Sequence, residues 1–309
     1  MSLLDSVDQR TQLVGENRLE LLLFRLGGRQ QFALNVFKIQ EVLKVPPLTE
    51  VPHRHPVVRG VTHMRGQTIP VVDLSQAIGR RPLPMDEHCN LIVTEYNRTI
   101  QGFLVGEVEH IVNMNWDQIL PPPSGTGRHH YLTALTKVND NIVEILDVER
   151  VLAEIVPYDT SVPDGVLDDE IQAEAVNYKI LMVDDSSTAR AQGRETMEEI
   201  GVEVITRNDG KSGWDTLLQW VDEGMDFDKL LMVVTDAEMP EMDGYTLTTH
   251  IRNHPVLQDL HVVLHTSLSG SFNEAMVEKV GCDNFLSKFN PEDLAVTIQD
   301  RIRAKMQGE

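Results

Sequence analysis

Five residues in the C-terminal half of the chain have types and spacing that could do chemistry together: Asp184, Asp185, Asp236, Thr266 and Lys288. Each stands at the C-terminal end of an apolar run that reads as a β-strand. In a parallel α/β sheet such strand ends converge on one edge, where ligands bind. A buried strand ending in two adjacent acids places like charges side by side, which is costly without a counterion. Asp236 ends a second apolar strand and supplies a third carboxylate. Three carboxylates make a hard oxygen site suited to Mg²⁺, which takes a few carboxylates together with water and phosphate oxygens. Formal charge agrees: three carboxylates at −3, Mg²⁺ at +2 and Lys288 at +1 sum to zero. The chemistry this implies is Mg²⁺-assisted acceptance of a phosphoryl group. The plain alternative for Asp185 or Asp236 taken singly is helix or turn capping, but capping does not account for the ordered set of five.

The elements that must position these residues follow from hydrophobic periodicity. Short apolar runs at 179–183, 202–206, 231–235, 261–265 and 284–287 alternate with helical patterns at 187–200, 211–223, 245–253, 271–280 and 291–305. Five strand–helix alternations predict a doubly wound α/β domain with a five-stranded parallel sheet.

The stretch from Asp236 to Gly244, Asp-Ala-Glu-Met-Pro-Glu-Met-Asp-Gly, narrows the assignment. With the five ordered residues it resembles the phosphoacceptor loop of response-regulator receiver domains, and the resemblance covers about residues 178–306. It implies that Asp236 is the phosphoacceptor. Asp185, Asp236 and the backbone carbonyl of Glu238 would ligate Mg²⁺, with Asp184 acting largely through water. Thr266 would hydrogen-bond one phosphoryl oxygen and Lys288 would pair with another. Phe285 takes the position of the family's switch aromatic. Phosphoryl transfer has a loose transition state, so positioning and cations carry the catalysis.

Three residues depart from the family pattern. Phe289 stands where many receivers have proline after the lysine. A cis bond before a non-proline costs about 3–4 kcal/mol, so the 288–289 bond is expected to be trans or strained. Ser267 replaces a small alanine. Glu238, two residues after Asp236, could repel or misplace an attacking water, which predicts an acyl-phosphate lifetime unlike that of fast-cycling receivers.

The chain has 309 residues, 41% of them hydrophobic, which suggests two ordinary cores. No apolar run is long enough to span a bilayer, and the N-terminal residues carry no signal-peptide stretch. The two cysteines, Cys89 and Cys282, fall in different halves, which argues for a reducing cytoplasm rather than a disulfide framework. The net charge of −21 is uneven: residues 1–156 hold 15 Lys+Arg against 18 Asp+Glu, and residues 157–309 hold 12 against 30. An acidic second half argues against a phosphate backbone as partner, which needs a basic face, so no nucleic acid is expected. Neither half has the basic cluster of a membrane-surface binder.

Between 157 and 177 lie two prolines, one glycine, six acidic residues and no Lys or Arg. This reads as a solvated linker, partly helical near 167–175, separating a domain at 1–156 from one at 178–309. Upstream, strand pairs flank turn signals: 19–26 and 31–36 around Gly27-Gly28, 90–96 and 99–105 around Asn97-Arg98, and 131–138 and 142–146 around Asn139-Asp140-Asn141. The spacing predicts an all-β domain of paired small barrels, closed by a helix capped by Asp147 and stopped at Pro157. Its histidines (His53, His55, His63, His88, His129 and His130) lack a cysteine pair and read as solvated loop residues. Gly125-Thr-Gly127 lacks the lysine of a phosphate-binding loop.

Phe32-Ala-Leu-Asn35, the run 36–42 with Glu41, Val58-Arg-Gly60, Met64-Arg-Gly66 and Ile69-Pro-Val-Val-Asp-Leu74 resemble the CheW-type coupling domain over about residues 15–156. Met64 replaces a commoner leucine at little change in volume. The resemblance implies an adaptor between chemoreceptor cytoplasmic tips and the histidine kinase CheA, with Arg65 on the binding surface; the bland alternative is an arginine that pins its loop. A coupling domain followed by a receiver is the order of the CheV-type chemotaxis scaffolds. The expectation is therefore a cytoplasmic adaptor, recruited to membrane-associated receptor arrays without inserting into the membrane, whose receiver takes a phosphoryl group from CheA to tune coupling or to act as a sink. No DNA-binding motif follows the receiver. A pure scaffold with an idle receiver is the second reading. A Mg²⁺-dependent phosphohydrolase is the third, disfavoured because its nucleophile would want Asp-x-Asp-x-Thr where this chain has Asp-Ala-Glu-Met-Pro.

Overall fold

The computed structural model describes residues 18–96, 99–115, 118–120, 131–155, 161–163, 165–239, 241–266, 280–288 and 290–308. Ser267, Phe289, His129, His130, the 125–127 loop and nearly all of the helix expected at 271–280 lie outside them. The chain divides into two compact units, with the division at 157–158.

The first unit contains two five-stranded sheets. One is ordered β8-β1-β2-β10-β9, from β1 (Arg18–Arg25), β2 (Gln31–Asn35), β8 (Val108–Asn115), β9 (Leu132–Val138) and β10 (Asn141–Leu146). The other is ordered β3-β6-β7-β5-β4, from β3 (Ile39–Lys44), β4 (Val58–Met64), β5 (Gln67–Asp73), β6 (Asn90–Tyr96) and β7 (Thr99–Val105). The hairpins form where the turn residues demand them: β1 pairs with β2, β6 with β7 and β9 with β10, all antiparallel. Each sheet also holds one parallel pair, β2 with β10 and β5 with β7. These pairings tie strands distant in sequence, which periodicity does not reveal. β3 and β8 escaped the reading because they are half-exposed and carry Gln, Glu, His and Asn between their apolar positions. A one-turn helix α1 (Leu74–Ala77) follows β5, capped by Asp73. α2 (Val148–Ile155) follows β10, with the Asp147 carboxylate accepting from the Arg150 amide at 3.0 Å.

In the second unit the five strands are β11 (Lys179–Val183), β12 (Glu203–Arg207), β13 (Leu230–Thr235), β14 (Val262–Thr266) and β15 (Asn284–Ser287). They form one all-parallel sheet ordered β12-β11-β13-β14-β15. Successive side chains of β11 go to opposite faces. Ile180 and Met182 join a core with α4 (Ser187–Ile200) and α7 (Pro291–Gln307). Leu181 and Val183 join a core with α5 (Gly210–Asp222) and α6 (Gly244–Arg252).

The linker reading needs amendment in its second half. α3 (Asp169–Ala175) is capped by Asp168 and buries Ile171 and Ala175 in the same core as Met197 and Ile298. Gln299 of α7 accepts from the Asp168 amide and donates to the Val166 carbonyl, both at 2.9 Å. The reason is amphipathicity: Ile171 and Ala175 are four apart on one face, while the acidic residues that dominate the composition occupy the other.

Candidate functional site

In a parallel sheet of this order the strand order reverses at β11/β13, and the crevice beyond their C-terminal ends is where ligands bind. Asp184 and Asp185 follow β11, and Asp236 follows β13. Carboxylate oxygens of all three lie within 4.8 Å of one another. Asp184 and Asp236 are buried and Asp185 is half-buried.

Backbone donors fix the carboxylates. Asp184 Oδ1 accepts from the Ser186 amide at 2.9 Å, and Asp236 Oδ1 accepts from the Ala237 amide at 2.8 Å. The Arg190 guanidinium, from α4, donates to the Asp184 carbonyl and holds that turn. Capping is present but falls elsewhere: Ser186, not Asp185, caps α4, and Asp243 caps α6. Burial pushes the Asp243 carboxyl above its usual range, against the opposing pull of the Thr246 amide it accepts from.

Lys288 reaches the cluster from the end of β15, where its amide donates to the Thr266 carbonyl at 2.9 Å. Its Nζ is 2.8 Å from Asp184 Oδ2 and 2.8 Å from Asp236 Oδ2, and the side chain is 1% exposed. An ammonium so buried has to be paired. Thr266, the last residue of β14, is also buried. Phe285 pairs in register with Leu264 and lies half-buried beside Ala237 and Tyr245. Glu238 is half-buried in the bend after Asp236. The site therefore brings Asp184, Asp185, Asp236 and Lys288 together, with Thr266 bonded through its carbonyl to the Lys288 amide and Phe285 three residues before Lys288 on β15.

Three carboxylates against one ammonium leave a formal charge of −2. Hard oxygens in that number, with that residual charge, fit a divalent cation such as Mg²⁺. Gly244 has a steric reason that the motif alone does not reveal. A Cβ there would lie 2.1 Å from the Asp236 carbonyl oxygen, so only glycine lets α6 start against the loop.

The first unit has a different kind of site. Arg65 and Gly66, at φ 47° and 83°, form the two-residue turn between β4 and β5. Arg65 is 75% exposed, and its guanidinium lies 2.9 Å from Glu41 of β3. Glu41, Arg65, Ile69, Val93 and Ile100 line one cavity of about 240 Å³. β3 and β4 are opposite edges of the sheet, so the Arg65–Glu41 contact means that the sheet curls back on itself, as a barrel requires.

The two halves match separate family models. A CheW-like domain covers residues 20–156 and a response regulator receiver domain covers residues 180–299. Fold and site thus define a β coupling domain joined to a receiver. The Helicobacter pylori "Chemotaxis protein CheV1" is 29% identical over 316 residues, 96% of this chain and 97% of that protein. "Chemotaxis protein CheV3" of the same organism is 28% identical, covering 91% of this chain and 94% of that protein. "Chemotaxis protein CheW" of Klebsiella aerogenes is 27% identical over 136 residues, 43% of this chain and 81% of that protein. The chain is of the CheV type, a CheW-like domain fused to a receiver domain. Among the described residues no helix is long and apolar enough to cross a membrane.

Proposed function

We propose that this protein is a chemotaxis adaptor whose first domain docks chemoreceptor tips and CheA, and whose receiver is phosphorylated on Asp236 to adjust that coupling. The observation that carries it is the buried Asp184–Asp185–Asp236 group bridged by Lys288, joined in one chain to a CheW-like domain. In this reading Asp184, Asp185, Asp236 and the Glu238 carbonyl hold Mg²⁺, which supplies positive charge to the oxygens of the phosphoryl group being transferred. Asp236 is the nucleophile. One of its oxygens bonds to phosphorus as the N–P bond of the CheA phosphohistidine breaks, and the donor histidine keeps the electron pair.

The Ala237 amide orients the Asp236 carboxylate for that attack, and Lys288 balances charge on a phosphoryl oxygen. The Thr266 hydroxyl donates to another. Phosphorylation replaces about one negative charge by about two and adds acceptor oxygens. Thr266 moves toward them, Phe285 fills the vacated space, and the β14–β15 edge reports the change. Arg65 and the cavity beside it form the docking surface for the array partners. The protein thus works in the cytoplasm at receptor arrays.

The test is reconstitution with autophosphorylated CheA, Mg²⁺ and receptor tips. The wild type takes up one phosphoryl group per chain, and Asp236→Ala loses uptake while keeping array binding. Equal labelling of Asp236→Ala refutes the phosphoacceptor assignment. Array binding without any labelling of the wild type leaves a scaffold with an idle receiver. Sustained hydrolysis of small phosphoesters would make the protein an enzyme instead.

A further inference from the structure

Tyr245 is the second residue of α6, directly after the glycine that packs on the Asp236 carbonyl. Its side chain is 5% exposed and packs with Ala237 and Leu264, with Phe285, Val280 and Cys282 bordering the same cluster. Its ring therefore sits between the phosphoacceptor loop and the switch aromatic. The phenol oxygen is buried, and no hydrogen-bond partner meets it among the described residues.

A buried donor without a partner forfeits its hydration and gains nothing in return. Phenylalanine would fill the same volume without that cost. The hydroxyl also cannot escape by ionising. Burial first, and then the negative charges of Glu238, Asp236 and Asp243, push the phenol far above its ordinary pKa, so it remains an O–H donor. The ring packs with Ala237, next to Asp236, on the helix that Asp243 caps, so it lies in the field of the acidic site. The event that brings new acceptor oxygens into that field is phosphorylation of Asp236, which adds a group with three strong acceptors.

We propose that Tyr245 is a positioning residue of the switch: its buried hydroxyl takes an oxygen acceptor that the site presents only after Asp236 is phosphorylated. This rests on the receiver reading of Asp236. The bond ties the first turn of α6 to the rearranged Thr266–Phe285 side of the sheet and favours the phosphorylated arrangement over the resting one. The resting state bears the cost of the orphaned hydroxyl, and the phosphorylated state recovers it, so the residue biases a two-state element in one direction.

The experiment compares full-length wild type, Tyr245→Phe and Asp236→Ala. Resting stability is read by thermal and urea unfolding, Mg²⁺ affinity by titration, and binding of beryllofluoride, a phosphoryl mimic, by ¹⁹F NMR with Mg²⁺ present. Tyr245→Phe is expected to match or exceed wild-type resting stability and to bind Mg²⁺ as the wild type does. It should need about fivefold to tenfold more beryllofluoride for half-saturation, the effect of one lost hydrogen bond. A wild-type beryllofluoride midpoint in Tyr245→Phe overturns the proposal, and so does a loss of resting stability, which would mean that the hydroxyl is already bonded. Should the wild type bind no beryllofluoride, or Asp236→Ala bind it equally well, the receiver reading itself falls. A purely structural tyrosine would move the unfolding curves and leave the mimic's midpoint alone.

Discussion

Each domain buries a small cluster of acids around a lysine, and the two clusters are balanced differently. In the CheW-like domain Lys38 lies 2.9 Å from Glu149, which is 1% exposed, and Asp147 and Arg150 stand beside them. Among the described residues those two acids and Glu154, which Arg150 faces at 3.8 Å, share two cations. In the receiver, among the described residues, three acids share the one ammonium of Lys288. The first cluster anchors the start of α2. The second gathers its carboxylates at an open sheet edge, where the proposed function has a cation and then a phosphoryl group bind. Under the proposed function the difference separates an ion cluster that holds a fold from one that serves chemistry, and it lies in how many carboxylates share one cation, not in burial.

The largest test of this contrast is removal of each lysine. Lys288→Met should cost about 3–5 kcal/mol in metal-free urea unfolding, because it leaves buried carboxylates unpaired. Lys38→Met should cost about 1–2 kcal/mol, since Lys38 is 22% exposed and Arg150 remains. Equal losses would erase the distinction. Next comes the divalent cation. At a hundredfold excess over its Kd, Mg²⁺ should stabilise the receiver by about 2.7 kcal/mol and leave the unfolding of the CheW-like domain unmoved. Asp184→Asn should abolish that gain, and a Mg²⁺ effect on both domains would show non-specific binding.

A smaller effect concerns pH. Burial first, then the charge of Glu149, holds the Asp147 carboxyl above its ordinary range, although Lys38, Arg150 and the Arg150 amide pull the other way. A carboxyl whose pKa is raised by folding favours the native state while it is protonated. It loses that contribution as pH climbs through the folded value. Asp147→Asn keeps the cap and removes the charge, so it should raise stability at pH 7 by on the order of 1 kcal/mol. The gain should vanish below about pH 4, where the unfolded aspartate is protonated too. A gain that persists at pH 3 would point to packing instead.

The smallest effect is at the exposed Arg65–Glu41 pair. Surface ion pairs contribute about 0–1 kcal/mol, and asparagine tolerates the left-handed conformation of the turn better than arginine does. Arg65→Asn should therefore unfold within about 0.5 kcal/mol of the wild type while its binding to receptor–CheA arrays falls. Lost stability with intact binding would mark Arg65 as a loop pin.

Much of this was legible in the sequence where local rules dominate. The bounds of β11, α4 and β15 follow from apolar periodicity and the Ser186 cap, since those elements are set by their own residues. The ordered aspartates, threonine and lysine were readable because each follows a strand, and strand ends in a parallel sheet share an edge. β3 and β8 were not readable, because half-exposed strands blur the alternation. The helix at α3 was readable near 167–175, but its packing on the receiver core was not, because the acidic composition reads as solvated linker although Ile171 and Ala175 stand four apart. Tyr245 gave no motif at all, since a phenol after a capped glycine looks like any core aromatic.

The sequence by itself determined which residues bring chemistry, the class of each domain and their order along the chain. These depend on residue type and short-range spacing, which the chain states directly. Only the tertiary structure decided that Lys288 bridges Asp184 and Asp236 at 2.8 Å each, that Gly244 sits against the Asp236 carbonyl, and that the Tyr245 hydroxyl is buried with no partner among the described residues. Those facts depend on where separate elements are carried by sheet order and helix packing, and on distances of a few tenths of an ångström that no spacing along the chain encodes.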